Sequence, residues 1–279
     1  MSSFAYYNGK FGKKEDVFIP LSDRAIYFGD AIYDAAIGSY DRILWEKEHI
    51  DRFLLNAKLL GFKHNFTFKF LSSLLREIGV KSMLSSYFIY FQMSRDLPNR
   101  IHSPNGANVN LLITIDPFEI NSNFDPLRLI TFPDKRFGYC NIKTANLLPS
   151  VIASRKAEES GCDEAVFVRG KLVTECAKSN ISIINQGRVI THPKTNRILA
   201  GIAREHLLLN CKKFNIPYLE RPFSINELLS ADEILVTSTT KLCRTVNKIN
   251  GKIVGGKSPK LAKNLCESML YECKMTLNV

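Results

Sequence analysis

The amino-acid sequence predicts an α/β (α+β) protein built from two domains. The chain has 279 residues, of which 45% are hydrophobic, which is enough for a sizeable core and for one or two domains. Apolar, β-branched and aromatic runs alternate with segments whose apolar positions recur at helical spacing. A polar, turn-rich stretch without periodicity follows Asp116 and ends at Pro126, and it is typical of an interdomain connector. We predict an N-terminal domain over 1–118, a connector over 119–127 and a C-terminal domain over 128–279, with a ligand site in the cleft between the domains.

The N-terminal part alternates between strand and helix patterns. An Asn8-Gly9 pair predicts a tight turn between two short strands, placed at Phe4–Asn8 and Asp16–Ile19. Apolar residues at helical spacing and a following Gly61 predict a helix from about Lys47 to Leu60. The remaining predicted elements are strands at Ala31–Ser39, Ile43–Trp45, Ser86–Ser94 and Ala107–Ile115, the last two paired, and a second helix at Phe68–Val80.

The C-terminal part reads as short strands joined by turns and followed by helices. It opens with a strand at Leu127–Pro133 and a helix over roughly 149–160. Further strands are predicted at 165–168, 171–174, 180–184 and 188–191, and further helices near 201–214, 225–229 and 259–274.

Charge and cysteine content narrow the function classes. The formal net charge is +11, which favours anionic ligands, but the basic residues are scattered and match no nucleic-acid motif. Seven cysteines, an odd number without CxxC spacing, argue against a disulfide framework or a metal site. The sequence has no apolar run of membrane-spanning length, and its N-terminus lacks a basic region followed by an apolar core. We therefore expect a cytoplasmic protein that binds neither nucleic acid nor membrane.

Lys143 is the most informative single residue. It is the one charged residue between Gly138 and Leu148, and the next acid along the chain is Glu158. Most lysines are exposed, so residue type alone favours a surface position. A desolvated lysine, however, loses its proton more readily and becomes a nucleophile that can form a Schiff base.

Two further segments are suited to binding an anion. Gly201-Ile202-Ala203 reads as a turn that runs into a helix, where free backbone amides bind phosphate and glycine permits close approach. An apolar strand ends in four consecutive hydroxyl residues that include Ser238 and Thr239, which is a suitable anion cradle. Each signal by itself is weak.

The order and spacing of these features resemble the pyridoxal-phosphate enzymes of fold type IV, and among them the D-amino-acid transaminases, from about Tyr6 to the C-terminus. The resemblance implies that Lys143 is the Schiff-base lysine and the general acid and base of the reaction. It implies that Glu175 pairs with the pyridine nitrogen of the cofactor. The cofactor phosphate would be bound by Arg52, by Gly201, Ile202 and Ala203, and by Ser238 and Thr239.

The subgroup rests on three residues that would hold the substrate carboxylate. The resemblance assigns this role to Tyr33 and to Arg100 and His102, which stand in an Arg-x-His pattern and reach the site of the other subunit in a homodimer with shared active sites. The implied reaction is transamination between a D-amino acid, such as D-alanine or D-glutamate, and a 2-oxo acid, such as 2-oxoglutarate or pyruvate.

The chain also departs from the family pattern. Cys176-Ala177-Lys178 stands where Gly-Ser-Ser is usual, Ala203 replaces a threonine, and Asp34 replaces a glutamate. Branched-chain L-amino-acid transaminases and aminodeoxychorismate lyases share the lysine, the glutamate and the phosphate arginine, but lack the Arg-x-His pattern. They remain alternatives, as does a non-catalytic binder of a phosphate ligand.

Overall fold

The computed structural model describes residues 3–120 and 122–279 and divides into two compact units. The first unit contains residues 3–120, Ile142–Asn146 and Lys274–Val279, and the second contains 122–141 and Leu147–Cys273. The α/β (α+β) class is confirmed, whereas the domain boundaries at 118 and 128 stay a prediction. The short segment Ile142–Asn146, which carries Lys143, belongs to the first unit although both of its neighbouring segments belong to the second.

The first unit is built on an antiparallel sheet of six strands in the order β2-β1-β6-β5-β3-β4. Its elements are β1 (Phe4–Tyr7), β2 (Lys10–Lys13), α1 (Arg24–Phe28), β3 (Ala31–Ser39), β4 (Arg42–Ile43), α2 (Glu46–Leu59), α3 (Phe68–Lys81), β5 (Tyr87–Asp96) and β6 (Asn108–Pro117).

One face of this sheet carries the core of the first unit. Strands β3 and β5 contribute Ile32, Ile89 and Phe91, and α2 contributes Ile50 and Phe53, all of them fully buried. The apolar positions of α2 recur at helical spacing, so one side of the helix covers the sheet, while Lys47, Asp51 and Lys58 lie on its exposed side. This packing fixes α2 beside β3 and thereby sets the positions of the polar side chains that the two elements share.

The second unit is built on a mixed sheet of ten strands, in the order β12-β11-β10-β14-β15-β7-β8-β9-β13 with β16 paired to β15. Its elements are β7 (Leu127–Pro133), α4 (Leu148–Glu159), β8 (Glu164–Arg169), β9 (Leu172–Cys176), β10 (Asn180–Asn185), β11 (Arg188–Thr191), α5 (Ile202–Lys213), β12 (Tyr218–Glu220), β13 (Phe223–Ser224), α6 (Ile225–Ser230), β14 (Glu233–Ser238), β15 (Leu242–Ile249), β16 (Lys252–Ile253) and α7 (Pro259–Leu277), whose last residues belong to the first unit.

Strand pairing in the second unit brings distant segments of sequence to one end of the sheet. In the antiparallel pair β10–β14, Asn180 lies opposite Thr237, so the start of β10 adjoins the hydroxyl-rich end of β14. A core of buried aliphatic side chains, including Ile183 and Ile234, packs on the same strands.

One predicted strand is wrong. Asp16–Ile19 is not a strand: Lys14–Asp16 forms a 3-10 turn, and the partner of β1 is the earlier Lys10–Lys13. The reason is the two-residue turn, in which Asn8 and Gly9 adopt φ of 46° and 96° and bring Tyr7 opposite Lys10. The second strand therefore begins directly after Gly9, at Lys10, and not at Asp16. The short helix α1 was not predicted from the sequence.

Metal-binding clusters and membrane-spanning helices are both absent from the described residues. No group of three or more His, Cys, Asp or Glu side chains in residues 3–120 and 122–279 could hold a metal ion. In the same residues, no helix has the length and apolar character needed to cross a membrane.

Candidate functional site

The backbone of Lys143 is joined to strand β3 as a short extra edge. The Tyr33 N–H donates to the Lys143 carbonyl at 2.9 Å, and the Ala145 N–H donates to the Ala31 carbonyl at 3.0 Å. The neighbouring Ile142 is buried in the core of the first unit. The segment that carries Lys143 is therefore fixed by two backbone hydrogen bonds and an apolar anchor, and the Lys143 Nζ lies 4.3 Å from the centre of the Tyr33 ring.

Asp34, one residue beyond Tyr33, organises the predicted phosphate-binding arginine. Arg52 donates from Nε to Asp34 Oδ2 at 2.7 Å and from a terminal nitrogen to Oδ1 at 2.8 Å. Asp34 is fully buried, whereas the Arg52 side chain is 13% exposed. Burial alone would raise the pKa of Asp34, but the charges and hydrogen bonds of Arg52 and His49 hold it well below its usual range. The carboxylate thus stays ionised and fixes the plane of the guanidinium.

His49 completes this cluster from the same helix. Its Nδ1 lies 2.7 Å from Asp34 Oδ1, and its Nε2 is buried without a hydrogen-bond partner in the described part of the chain. Burial lowers the pKa of His49, against the opposing effect of Asp34. A charged imidazolium would leave a buried Nε2–H without an acceptor. The neutral tautomer that donates from Nδ1 to Asp34 therefore fits the site.

The predicted carboxylate-binding residues lie in two places of the first unit. Tyr33 stacks on Tyr90 with ring centres 5.1 Å apart. Arg100 lies over the Phe28 ring at 5.0 Å, and the His102 ring lies 5.3 Å from the same phenylalanine. Among the described residues of one chain, neither Arg100 nor His102 has a hydrogen bond or ring contact with Tyr33.

The loop that carries Arg100 and His102 is held by a buried arginine. Arg24 donates to the carbonyls of Ile101 and His102 at 2.5 and 2.8 Å, and its Nε bonds to Asp30 at 2.8 Å. Two backbone carbonyls of the Arg-x-His segment are thereby fixed, so the loop is ordered without a contact to Tyr33 of its own chain.

Glu175 is the centre of a polar cluster in the second unit. It lies at the end of β9 and is 6% exposed. Asn180 donates to its Oε2 at 2.9 Å, the Leu199 N–H lies 3.1 and 3.2 Å from its two oxygens, and Arg136 forms an ion pair with it. A carboxylate with several donors is stabilised in its charged form, so this position suits a partner for a protonated ring nitrogen.

Arg136 is itself fixed by other groups. It bonds to both oxygens of Asp134 at 3.0 Å and to the Arg197 carbonyl at 3.1 Å, and Thr174 donates to Asp134 at 2.9 Å. Burial opposes the charge of Arg136, but its hydrogen bonds to Asp134 and the charges of Glu175 and Asp134 keep its pKa above the ordinary value. Asp134 also pairs with Arg169 at 3.2 Å, so Arg136 is held between two carboxylates and orients Glu175.

Gly201 lies against the same cluster. A Cβ built at this position would be 2.0 Å from Asn180 Oδ1, so only glycine fits. Asn180 also donates to the Leu199 carbonyl at 2.8 Å, which fixes the segment leading into α5. The helix starts at Ile202 with no side-chain cap on its first turn, so the amides of Ile202 and Ala203 belong to an uncapped helix start that suits an anion.

Ser238 and Thr239 lie at the tip of the β14–β15 hairpin. Ser238 pairs with Leu242 across the hairpin and accepts a hydrogen bond from the Lys241 N–H at 3.1 Å. Both predicted phosphate-binding residues are half-buried. Through the pairing of Asn180 with Thr237, the hairpin tip adjoins the Glu175 cluster within the second unit.

The segment that departs from the family pattern adopts a compact turn. The Cys176 N–H donates to the Ser179 carbonyl at 2.8 Å. Burial raises the pKa of the Cys176 thiol well above its ordinary value, so this cysteine is held as an unreactive thiol. Lys178 is exposed. The replaced hydroxyls are thus absent, but the turn is closed by its own backbone.

The sequence-predicted residues therefore fall into two groups, each placed within one unit. Lys143, Tyr33, Arg52, Arg100 and His102 lie in the first unit, and Glu175, Gly201, Ile202, Ala203, Ser238 and Thr239 lie in the second. No role was predicted for Asp34, His49, Asp134 or Arg136. Helical spacing could have indicated His49, which precedes Arg52 by three residues on α2, whereas no local signal joins Arg136 to Glu175.

Comparison with protein families gives a match over most of the chain. The family model described as "Amino-transferase class IV" matches residues 32–249, a range that includes the predicted residues from Tyr33 to Thr239.

Curated relatives match along nearly the whole length of the chain. A D-alanine aminotransferase from Staphylococcus epidermidis is 34% identical over 254 residues, which cover 89% of this chain and 90% of the relative. A D-alanine aminotransferase from Bacillus licheniformis is 33% identical over 281 residues, covering 97% and 99%.

Solved structures match in fold. The branched-chain aminotransferase from Thermoproteus uzoniensis, crystallised with norvaline, has a TM-score of 0.89 at 21% identity, covering 100% of this chain and 98% of that one. The branched-chain amino acid aminotransferase from Escherichia coli has a TM-score of 0.86 at 21% identity, covering 97% and 94%. At these identities the likeness shows the fold.

Proposed function

We propose that this protein transfers the amino group of a D-amino acid to a 2-oxo acid with pyridoxal 5'-phosphate. The chain belongs to the amino-transferase class IV family. Relatives named D-alanine aminotransferases, at 33–34% identity, support D-alanine as a donor. D-Glutamate as a second donor, and pyruvate or 2-oxoglutarate as acceptor, are part of the proposal. The observation that carries the proposal is the environment of Lys143. Its backbone is hydrogen-bonded to β3 and its amine lies over Tyr33.

The residues present fit this cofactor. Its phosphate requires cationic and hydrogen-bonding groups, which Arg52, the start of α5, Ser238 and Thr239 supply. The first turn of α5 has no side-chain cap, so its backbone amides are available to the phosphate. The aldehyde of the cofactor requires an amine, which Lys143 supplies.

The ring nitrogen of the cofactor requires an acidic side chain that stays ionised. Glu175 is held as a carboxylate by Arg136, Asn180 and the Leu199 amide. The assignment of both units' residues to one cofactor rests on the family match.

The bound cofactor supplies an electron sink for the bond that breaks at the substrate α-carbon. As a neutral amine, Lys143 would remove the proton from the substrate α-carbon. In its protonated form it would then deliver a proton, so it would act first as a base and then as an acid. Glu175 would hold the proton of the ring nitrogen, and Asn180 keeps the Glu175 carboxylate oriented through its 2.9 Å hydrogen bond.

Three residues, which we call the carboxylate trap, would orient the substrate. We assign Tyr33 of one subunit and Arg100 and His102 of a second copy to the substrate carboxylate. The absence of a contact between these residues in one chain, among the residues described, is compatible with this division. An arginine with two further hydrogen-bonding groups is suited to a carboxylate. The proposal therefore includes a homodimer in which each site is completed by the other subunit.

Turnover of D- against L-amino acids tests the proposal. The purified protein, incubated with pyridoxal phosphate and 2-oxoglutarate, is given D-alanine, D-glutamate, L-leucine and L-valine, and keto-acid formation is followed. We expect turnover with the D series, and loss of it in Arg100→Ala by about 10²-fold, since a charged contact to the carboxylate is removed.

Three results would decide against the assignment. Turnover of the L series alone would favour the branched-chain alternative. Unchanged D-alanine turnover in Arg100→Ala would show that Arg100 does not bind the substrate carboxylate. A protein that is colourless after incubation with pyridoxal phosphate and removal of the unbound cofactor would favour the non-catalytic binder.

A further inference from the structure

Glu164 is a buried carboxylate that contacts two separate loops of the second unit. It begins strand β8 and is 0% exposed. The Lys178 N–H donates to its Oε1 at 2.7 Å, and the Ser179 hydroxyl and the Lys241 Nζ donate to its Oε2 at 2.9 and 2.8 Å. These three donors satisfy both oxygens, so the buried charge is fully compensated.

The first of these loops, residues 176–179, directly follows Glu175. It is the segment in which Cys176-Ala177-Lys178 replaces the usual small and hydroxyl residues. With two side-chain hydroxyls missing, the loop is held by its own Cys176–Ser179 backbone hydrogen bond and by Glu164. The carboxylate therefore fixes the position at which the chain passes from Glu175 to Asn180.

The second loop, residues 239–241, carries Thr239 and follows Ser238. Leu242, the next residue and the first of β15, has a φ of 54°. This left-handed conformation is unfavourable for a bulky residue and must be maintained by its surroundings. Lys241 is fixed at both ends, because its N–H donates to Ser238 and its Nζ bonds to Glu164.

We propose that the Glu164–Lys241 ion pair is a positioning element that fastens the hairpin tip to the loop after Glu175. It would set the positions of Ser238 and Thr239 for the phosphate, and of Glu175 for the ring, without contacting the cofactor. The part that concerns cofactor binding rests on the proposed function. The fastening of the two loops is a property of the second unit and stands independently of it.

Lys241→Met and Lys178→Met form a matched pair of variants. Each removes one positive charge from one of the two loops. Lys178 contacts Glu164 through its backbone N–H, which Lys178→Met preserves, whereas Lys241→Met removes a side-chain bond to a buried charge. A long-range charge effect would act equally in both variants, and a positioning effect only in Lys241→Met.

Amide hydrogen exchange of the full-length protein without cofactor measures the fastening directly. In Lys241→Met, peptides that cover 176–180 and 238–242 should exchange about tenfold faster or more, because a hydrogen bond to a charged group is lost. Lys178→Met should change them less than about twofold. Unchanged exchange in Lys241→Met, or equal acceleration in both variants, would overturn the proposal.

Titration of the apo protein with pyridoxal phosphate measures the consequence for the cofactor. The Kd should rise about tenfold in Lys241→Met and stay within twofold in Lys178→Met. A wild-type protein that does not bind pyridoxal phosphate, together with faster exchange in Lys241→Met, would reject the proposed function while supporting the fastening role. Faster exchange with an unchanged Kd would overturn the positioning of the phosphate residues.

The double variant Glu164→Gln/Lys241→Met is the control for general destabilisation of the protein by an unpaired buried charge. It leaves no unpaired buried charge, so loop exchange should return at least partly towards the wild-type rate compared with Lys241→Met. If the double variant exchanges as fast as the sum of the two single effects, the two residues act independently and the ion pair has no positioning role.

Discussion

In the first unit the fully buried Asp34 bonds to Arg52 and His49, whereas in the second unit the buried Glu175 bonds to Arg136, Asn180 and the Leu199 amide. Both are carboxylate–arginine pairs of similar burial. Our proposal gives them opposite roles: the arginine acts on the cofactor in the first unit, and the carboxylate does so in the second.

The remaining contacts explain this difference. Asp34 has no exposed surface, and its two oxygens are occupied by Arg52 and His49, so it can act only through those partners. Arg136 bonds to Asp134 and the Arg197 carbonyl as well as to Glu175, so it acts through the carboxylate that it holds. A buried ion pair therefore does not show which member is functional, and the bonds that each member makes elsewhere must be compared.

The largest expected effect is that of Glu175→Gln. The amide has almost the same size but no charge, so it cannot stabilise a protonated ring nitrogen. We expect kcat to fall by about 10²- to 10³-fold, while the Kd for pyridoxal phosphate changes only a few-fold. Steady-state kinetics at saturating cofactor and a cofactor titration measure the two quantities.

Glu233→Gln is the control for that substitution. Glu233 is a buried glutamate of the same unit that accepts the Ser258 N–H at 2.9 Å, and it is not among the proposed site residues. Its kcat should match the wild type. If Glu175→Gln weakened cofactor binding and left kcat intact, Glu175 would have a supporting role like that of Asp34.

Asp34→Asn should have the next largest effect, and on a different quantity. The amide offers one acceptor and turns a donor group towards Arg52, so the guanidinium loses its orientation. We expect the Kd for pyridoxal phosphate to rise about tenfold or more, with kcat at saturating cofactor within a few-fold of wild type.

Asp116→Asn makes the same change at an exposed ion pair, since Asp116 bonds to Lys14 at 3.0 Å and both side chains are at least one-third exposed. It should leave the Kd unchanged. A kcat loss in Asp34→Asn as large as that in Glu175→Gln, with an unchanged Kd, would abolish the distinction between the two pairs.

The amount that could be read from the sequence differs between the two regions. In the first, the helical spacing of apolar residues predicted α2, on which the resemblance placed Arg52, and the isolated charge at 143 drew attention to Lys143. These are local patterns, and the strand at Ala31–Ser39 was predicted with the bounds that the structure has. The hairpin at the start of the chain was misplaced because turn length fixes register, and turn length is hard to judge from composition.

The second region depends on contacts between residues far apart in sequence. Arg136 and Glu175 are separated by 39 positions, and Glu164 and Lys241 by 77. Such pairs follow from the strand order of the mixed sheet, which no local pattern of residues specifies. The resemblance located Glu175 and Ser238, but the groups that hold them required the structure.

The smallest expected effect is on the pH dependence of stability, and it arises from His49. Burial lowers the pKa of His49 below its ordinary value of 6.5, so the unfolded chain binds a proton that the folded chain excludes. The contribution of His49 to the free energy of unfolding is therefore fully present above about pH 6.5. It is lost as the pH falls below that value, by at most about 1.4 kcal/mol per pH unit. In His49→Asn, whose amide can still donate to Asp34, this part of the slope should disappear. Urea unfolding at pH 7, 6 and 5 measures it.

His64 provides a graded comparison for this effect. It is only partly buried, its pKa is also lowered by burial, and its Nδ1 accepts the Phe66 N–H at 3.1 Å, which asparagine can imitate. His64→Asn should flatten the slope less than His49→Asn does. If His49→Asn instead made the protein more sensitive to acid, His49 would be protonated beside Asp34, and the first unit would contain a buried charged triad in which Arg52 and His49 share the carboxylate equally.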